Sequence, residues 1–265
     1  MKKYFIYLFA FSVIISSCKK DEDETSTPPP TSNEFTISAS DFANVGDTFY
    51  MAKDFSDLDT LSVMSTEGIW DFSGLTEDEA DTNIYYDPSI FPAYSDFPEA
   101  NIAFDMTQGI AFAIKTEEMI EVIGFYINYS GVDIILPLDD HLIMYQFPMK
   151  EGSSFTDTGS GSTTTTVDYQ GIPVTLDITI DMDISSEIKE KAEMMLDGGS
   201  VTCLSEYKVL TSHFIADAGL LGELLNQTDT MKNYNYYASG KGTTYATVEL
   251  DSLNNINNVV FLKEL

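Results

Sequence analysis

The stretch Thr175-Leu-Asp-Ile-Thr-Ile-Asp-Met-Asp-Ile184 alternates polar and apolar side chains without a break. From 178 to 184, every even position is Ile or Met and every odd position is Asp or Thr. A period of two is the period of a β-strand that buries one face and exposes the other to water. The stretch therefore predicts a half-buried strand, and half-buried strands are typical of antiparallel sheets.

Short segments of the same kind recur along most of the chain. Each is rich in β-branched or aromatic residues and is bounded by Gly, Asp, Asn, Ser or Pro. This spacing is typical of an antiparallel β-sandwich. We therefore predict an all-β, jelly-roll-like sandwich with at most one or two short helices. The further predicted strands are 35–39, 48–51, 61–64, 68–72, 84–86, 101–104, 110–114, 119–127, 134–138, 141–147, 200–209, 233–238, 243–250 and 259–262.

Three segments are less regular. Apolar residues in 187–196 fit both a helix face and a strand face, and the neighbouring strands favour a strand. Ala218 to Leu225 is the best helix candidate, although a glycine interrupts it. The run Thr156 to Thr166 contains DTGSGSTTTT, whose low complexity predicts a flexible turn region.

The charge is strongly one-sided. The chain has 43 acidic residues against 13 basic ones, all of them lysine, for a formal net charge of −30. Such a surface repels nucleic acid, which is excluded as a partner. The hydrophobic content of 43% is enough for a substantial core, so global disorder is also excluded.

The first residues have the layout of a secretory signal peptide. Two lysines precede an apolar run from Tyr4 to Ile15, and small residues lead to Cys18. Residues 15–18, Ile-Ser-Ser-Cys, resemble the lipobox of bacterial lipoproteins. The resemblance implies that Cys18 becomes the mature N-terminus and carries the lipid, which would be the link to the membrane. After this segment no apolar run is long enough to span a bilayer.

Residues 18–34 contain KKDEDETSTPPPTSN. This sequence is charged and rich in Thr, Ser and Pro, which predicts a disordered stalk. Its acidic run Asp21 to Glu24 resembles the export signal of Bacteroidota surface lipoproteins, which implies an outer-membrane protein facing the cell exterior. A plain solubilising spacer is the alternative. The predicted division is a signal peptide at 1–17, a lipidated stalk at 18–34 and one β domain at 35–265.

Several short sequence segments within the domain also resemble segments of uncharacterised exported β-proteins of Bacteroidota. They include GIWDFSGL at 68–75, FPEANI at 97–102, and the segment from Phe147 to Asp157. The chain departs from that pattern at Gly199-Ser-Val and at Tyr207. The resemblance implies no known activity.

One candidate metal site lies in the opening stretch. Asp177, Asp181 and Asp183 share a strand face, about 7 Å apart at each two-residue step. They could supply one or two oxygens to a calcium ion completed by loop carbonyls, so calcium is the predicted cofactor if there is one. A solvated polar sheet face is the alternative.

Aromatic residues near predicted loops suggest a ligand surface. Rings close to Asp and Asn side chains are typical of a sugar platform, and core packing is the alternative explanation. The candidate ligand-binding residues are Tyr85, Tyr86, Tyr94, Tyr236 and Tyr237. A glycan or a neighbouring surface protein is the predicted partner.

Three tripeptides resemble the Asp-Ser/Thr-apolar acceptor of Bacteroidota protein O-glycosylation. Their hydroxyl residues are Thr60, Thr230 and Ser252. Chance matches are expected in a chain so rich in Asp, Thr and Ser.

No nucleophile motif stands out. Cys203 lies in an apolar strand and is predicted to be a buried small side chain rather than a reactive thiol. We therefore predict a lipid-anchored surface protein that serves as a binding or structural module. The alternative is a polysaccharide hydrolase that uses a pair of its many carboxylates, which the sequence does not locate.

Overall fold

The computed structural model describes residues 34–56, 58, 61–106, 109–129, 132–169, 172–196, 199–219 and 222–263. The predicted signal peptide, Cys18 and all but the last residue of the predicted stalk lie outside the described residues, as does Thr60. No helix in the described part of the chain is long and apolar enough to cross a membrane.

Thirteen strands lie in the described residues. They are β1 (Thr48–Asp54), β2 (Ile69–Asp71), β3 (Glu79–Tyr86), β4 (Ile102–Met106), β5 (Gly109–Lys115), β6 (Met119–Tyr129), β7 (Val132–Gln146), β8 (Ser154–Tyr169), β9 (Ile172–Leu196), β10 (Gly199–Asp217), β11 (Glu223–Ala238), β12 (Thr244–Leu250) and β13 (Ile256–Leu262).

The strands form a closed barrel. The hydrogen-bonded order is β10-β11-β12-β13-β1-β3-β4-β5-β6-β7-β8-β9, and β9 pairs with β10 to complete the ring of twelve antiparallel strands. The short β2 adds in parallel to the end of β9, opposite Glu193 to Met195. The predicted all-β antiparallel class is confirmed, but the predicted jelly-roll sandwich is wrong. A period of two shows which face of a strand is buried, and it does not show which strand edges pair.

The glycine-rich run predicted as a turn lies inside strand β8. Gly161 pairs with Leu138 of β7, and a Cβ at Gly161 would lie 2.2 Å from the Pro137 carbonyl oxygen. A Cβ at Gly159 would lie 2.8 Å from the Leu142 Cβ. These glycines let β7 and β8 approach closely, which is a recognised use of glycine within a strand.

Three short 3-10 turns lie at Ala39–Asp41, Pro88–Ile90 and Pro92–Asp96, and Leu58 and Gly219 also have 3-10 conformation. The predicted helix from Ala218 to Leu225 is wrong from Glu223 onwards, where the chain is a strand. Gly219 and Gly222 have φ of 61° and 83°, the Ala218 N–H donates to the Gly222 carbonyl at 3.0 Å, and β11 begins at Glu223. The strand favoured for 187–196 is confirmed within β9.

A β-bulge at Lys189 changes the buried face of β9. Ile188 pairs with Glu206 of β10, but the next pair joins Glu190 to Ser205. Before the bulge, Ile184 and Ile188 belong to the core inside the barrel. After it, Ala192 and Met194 belong to a second core on the outer surface. An extra residue on one strand shifts the alternation of side chains by one position.

The second core is covered by the segment that contains β2. Trp70 and Phe72 are buried against Tyr236 of β11, with ring centroids 5.0 and 5.4 Å apart. A third, smaller core lies outside β4 to β6, where Phe97 stacks on Phe112 at 4.6 Å. The prediction that Cys203 is buried is confirmed.

Residues 37–43, here called the plug, pack against one end of the barrel interior. Ile37 forms a β-bridge with Met149, and Phe42 contacts the rings of Tyr145, Phe147 and Tyr237 at 4.9 to 5.4 Å. These residues belong to the inner core. The plug, which follows the predicted stalk in the sequence, therefore packs into the core of the barrel.

Two charged side chains fasten the plug. Lys115 Nζ donates to the carbonyl oxygens of Phe42 at 2.8 Å and Ala43 at 2.7 Å. Asp41 accepts from Ser239 Oγ at 2.6 Å and from the Gly240 N–H at 2.8 Å. Burial alone would raise the pKa of Asp41, but the hydrogen bonds outweigh it and the pKa is lowered. The carboxylate therefore stays charged, and keeps its partners, down to acidic pH.

Candidate functional site

A buried polar cluster lies inside the barrel on β10. Glu206 is fully buried and accepts three hydrogen bonds, from Ser186 Oγ at 2.5 Å, Asn235 Nδ2 at 2.8 Å and Tyr237 OH at 2.6 Å. Lys208, on the same face two residues later, places its Nζ 3.3 Å from Glu206 Oε1. Both oxygens of the carboxylate therefore have partners, as a buried charge requires.

Lys208 is equally well satisfied. Its Nζ donates to the Met144 carbonyl at 2.9 Å and lies 3.8 Å from the centroid of the Tyr145 ring. Burial lowers the pKa of Lys208, and the neighbouring Glu206 partly offsets this. Burial also raises the pKa of Tyr145 and Tyr237, so both phenols stay neutral near pH 7. Enclosed and fully paired, the cluster orders the barrel interior and offers no free group to a ligand.

The outer face of β8, β9 and β10 carries an open groove of about 490 Å³. Residues that are Cα partners across a sheet share a face. Thr156, Ser185 and Val209 form one outward row, and Thr158, Asp183 and Thr211 form the next. These six side chains line the groove.

Two tyrosines lie beside the groove. Tyr207 is the outward residue two positions before Val209, and its Cα partner on β11 is Tyr234. Their ring centroids are 5.0 Å apart, and both residues are half-buried. Lys189 Nζ lies 5.9 Å from the Tyr207 centroid. Burial raises the pKa of Tyr234, with Tyr207 as the next contributor.

The groove combines hydrogen-bonding side chains with apolar ones, since Val209 and Ile184 also line it. Threonine and serine hydroxyls can both donate and accept, Asp183 accepts, and the tyrosine rings add flat apolar area. Asp157 also borders the groove, but it pairs with Ile184 and therefore faces the opposite side from Asp183. Its Oδ2 accepts from the Ile143 N–H at 2.7 Å. The two carboxylates are thus not placed as a hydrolytic pair.

The three predicted calcium ligands lie in a row on this outward face. Asp177 accepts from Thr164 Oγ1 at 2.8 Å, Asp181 pairs with Ser160 of β8 and Asp183 lines the groove. Within the described ranges, no three His, Cys, Asp or Glu side chains are grouped closely enough to hold a metal ion. The three aspartates lie on a polar sheet face, and a calcium ion held there stays a prediction.

The five tyrosines predicted as a ligand platform do not share one surface. Tyr236 and Tyr237 are buried in the outer and inner cores, so a ligand platform that includes them is corrected to core packing. Tyr85 packs against the inner core beside Phe49 and Phe104. Tyr86 donates from its hydroxyl to Asp105 at 2.9 Å, and Tyr94 lies in a 3-10 turn. Consecutive tyrosines in a strand necessarily point to opposite faces.

The remaining candidates occupy separate places. Thr230 is exposed on β11, where its hydroxyl lies 3.2 Å from that of Thr211, and Ser252 is exposed in the turn before β13. Glycosylation of these hydroxyls stays a prediction. Burial raises the pKa of the Cys203 thiol to about 12, with Glu193 contributing, so it is not a ready nucleophile.

Sequence reasoning missed both the buried cluster and the groove. A signal for the cluster exists, since Glu206 and Lys208 stand between Leu204 and Leu210 in the same two-residue period. Polar residues at the buried positions of a strand indicate side chains that are hydrogen-bonded to one another inside the protein. The groove gives no local signal because its residues come from three strands that are distant in sequence.

No protein-family model matches this chain. No curated protein matches it. The solved structures that are similar to it include a candidate lipoprotein from Parabacteroides distasonis, at 9% identity and a TM-score of 0.37, which covers 86% of this chain and 98% of that one. Another is a candidate exported protein with a YmcC-like fold from Bacteroides fragilis, at 8% identity and a TM-score of 0.29, covering 83% of this chain and 96% of that one. Likeness at this level carries no conclusion about activity.

Proposed function

We propose that the protein is a bacterial lipoprotein, held to the outer membrane through Cys18 and facing the cell exterior, whose barrel binds a neutral oligosaccharide in the outer groove. The observation that carries the binding proposal is the open groove of hydroxyl side chains beside the Tyr207–Tyr234 pair. The membrane attachment rests on the signal-peptide layout and the lipobox-like residues 15–18.

The groove suits a sugar better than other small molecules. Sugar hydroxyls both donate and accept hydrogen bonds, as do the side chains of Thr156, Thr158 and Thr211. The apolar faces of a pyranose ring match the flat rings of the tyrosine pair. Asp183 and the net charge of −30 repel anions, so a neutral glycan is favoured over an acidic one. A groove that is open along the sheet surface also admits a segment of a longer chain.

Replacing Cys18 by alanine is expected to release the protein from the membrane fraction, because the modified cysteine is the proposed attachment. Fractionation of cells that express the wild type and the Cys18→Ala variant measures this directly. The control is Cys203→Ala, which removes a buried thiol and should leave the protein with the membranes. Membrane retention of the Cys18 variant equal to that of the wild type contradicts the anchor.

A glycan array tests the binding proposal, with the non-lipidated Cys18→Ala protein as probe. We expect binding to neutral oligosaccharides and none to acidic ones. Arrays run with calcium and with a chelator should agree, because the groove side chains bind sugar without an ion. An array with no neutral glycan bound under either condition contradicts the proposed function.

A further inference from the structure

The first half of β11 is an open sheet edge. From Glu223 to Met231 the strand pairs with β10, whereas its pairing with β12 begins only at Lys232. All nine of these residues are exposed, and no other described strand lies on their free side. We call residues 223–231 the edge segment. Alternate residues in it present unpaired backbone N–H and C=O groups to the solvent.

The edge segment lacks most of the devices that usually protect an exposed edge. It contains no proline and no lysine, and the only register shift in its pairing with β10 lies at its very end, between Ala216 and Asp217. Three large apolar residues are also exposed there, with Leu224, Leu225 and Met231 at 52%, 43% and 50%. A regular, partly apolar edge is a template for strand addition.

The charge around this edge has one sign. No lysine occurs from Glu151 to Ile188 or from Val209 to Met231. All of β8, most of β9 and residues 210–217 of β10, which pair with the edge segment, therefore carry none. Carboxylates are frequent there: Asp177, Asp181, Asp183, Asp217, Glu223 and Asp229. The added strand should therefore carry positive charge.

Asp229 also argues against a second copy of this chain as the occupant. Its Cα partner is Ser212, whose alternation with Leu210 places it on the inner side of the sheet. A charged side chain on the inner side of an edge strand hinders edge-to-edge pairing between copies. A partner strand with lysine or arginine opposite Asp229 would instead form an ion pair with it.

We infer that the edge segment of β11 binds an extended, lysine- or arginine-bearing segment of a partner protein, which adds to the sheet as a strand antiparallel or parallel to β11. Backbone hydrogen bonds to the free edge hold the added strand, Leu225 and Met231 contact its apolar side chains, and Asp229 selects for its positive charge. This site adjoins the sugar groove, since the hydroxyl of Thr230 in the edge segment lies 3.2 Å from that of the groove residue Thr211, but neither proposal depends on the other.

The probe is a capped ten-residue peptide of alternating valine and lysine, titrated into the Cys18→Ala protein and followed by calorimetry. We expect saturable one-to-one binding. The same peptide with glutamate for lysine should not bind, and a version with alternate backbone amides methylated should bind at least tenfold more weakly because it cannot complete the ladder. Equal binding of the methylated and unmethylated lysine peptides overturns the proposal, since it shows attraction by charge alone.

Two proline variants test the edge without changing its charge. Adjacent residues in a strand direct their N–H groups to opposite edges, so one of Gln227→Pro and Thr228→Pro removes a donor from the free edge and the other removes a bond to β10. Thermal unfolding identifies which variant is which: the variant with the smaller loss of stability is the one that has lost the free-edge donor. It should bind the lysine peptide at least tenfold more weakly, and unchanged binding contradicts the proposal.

Asp229→Asn tests the selection for charge and should weaken binding several-fold, with Glu99→Gln as a control that removes one charge from an exposed loop and should have little effect. Equal losses in the two variants contradict a specific role for Asp229. Sedimentation of the protein alone tests the competing occupant. A monomer is expected, and a dimer that the free-edge proline variant abolishes would assign the edge to a second copy instead.

Discussion

Replacing Glu206 by leucine is expected to lower the free energy of unfolding by about 3 to 5 kcal/mol, the cost of leaving a buried charge without its partner. The substitution strands the Lys208 ammonium, which is 7% exposed, with only the Met144 carbonyl and the Tyr145 ring. It also removes the acceptor of Ser186, Asn235 and Tyr237. Denaturant unfolding followed by circular dichroism measures the loss.

The matched control is the double variant Glu206→Leu, Lys208→Met. It removes both charges while keeping apolar volume, so most of the lost stability should return. A remaining deficit of about 1 to 2 kcal/mol is expected from the hydrogen-bond donors that still face the site. A double variant as unstable as the single one contradicts the view that the stranded charge is the main cost.

The second large effect is expected at Trp70. The Trp70→Ala substitution should cost about 3 to 5 kcal/mol, because it leaves a cavity in the outer core beside Tyr236 and Phe72. It also loosens the segment that holds β2 on the end of β9. Thermal unfolding by circular dichroism is the measurement, since this is the chain's single tryptophan and its fluorescence is lost.

Trp70→Phe separates packing from hydrogen bonding. Trp70 Nε1 is buried and has no hydrogen-bond partner among the described residues. Replacing the indole by a smaller ring therefore sacrifices volume without breaking a polar contact, and it should cost clearly less than alanine. Equal destabilisation by phenylalanine and alanine would show that the indole N–H makes a contact essential to the fold.

Much of the strand content could be predicted from the sequence because alternation is a local property. The period of two from Thr175 to Ile184 correctly predicts part of β9. The neighbouring strands correctly favour a strand over a helix for 187–196. Ring closure could not be predicted in this way. It depends on which strand edges pair around the whole ring, and the alternation of a single strand does not show this. The sequence also does not distinguish Gly161, which lies close to Pro137 within a strand, from a glycine in a turn.

The predicted and observed sites differ for a related reason. The position of the rings near predicted loops places Tyr236 and Tyr237 in one ligand platform, yet neighbours on a strand face opposite sides and both are buried. The outer groove joins Thr158, Asp183 and Thr211, which only the register of three strands brings together. The alternation of β9 is enough to place Asp183 on the outward face. Thr158 and Thr211 can be placed beside it only when the pairing of β8, β9 and β10 is known.

The proposed binding of sugar in the outer groove should depend on the adjacent ring of Tyr207. Titration of one array-selected neutral oligosaccharide into wild type, Tyr207→Ala and Tyr86→Ala tests it most directly by calorimetry. Loss of the ring beside the groove should weaken binding about tenfold or more, or ~1.4 kcal/mol. Tyr86→Ala, which alters a tyrosine outside the groove lining, should bind as the wild type does. Equal affinity of Tyr207→Ala and wild type, or a loss confined to Tyr86→Ala, contradicts the claim.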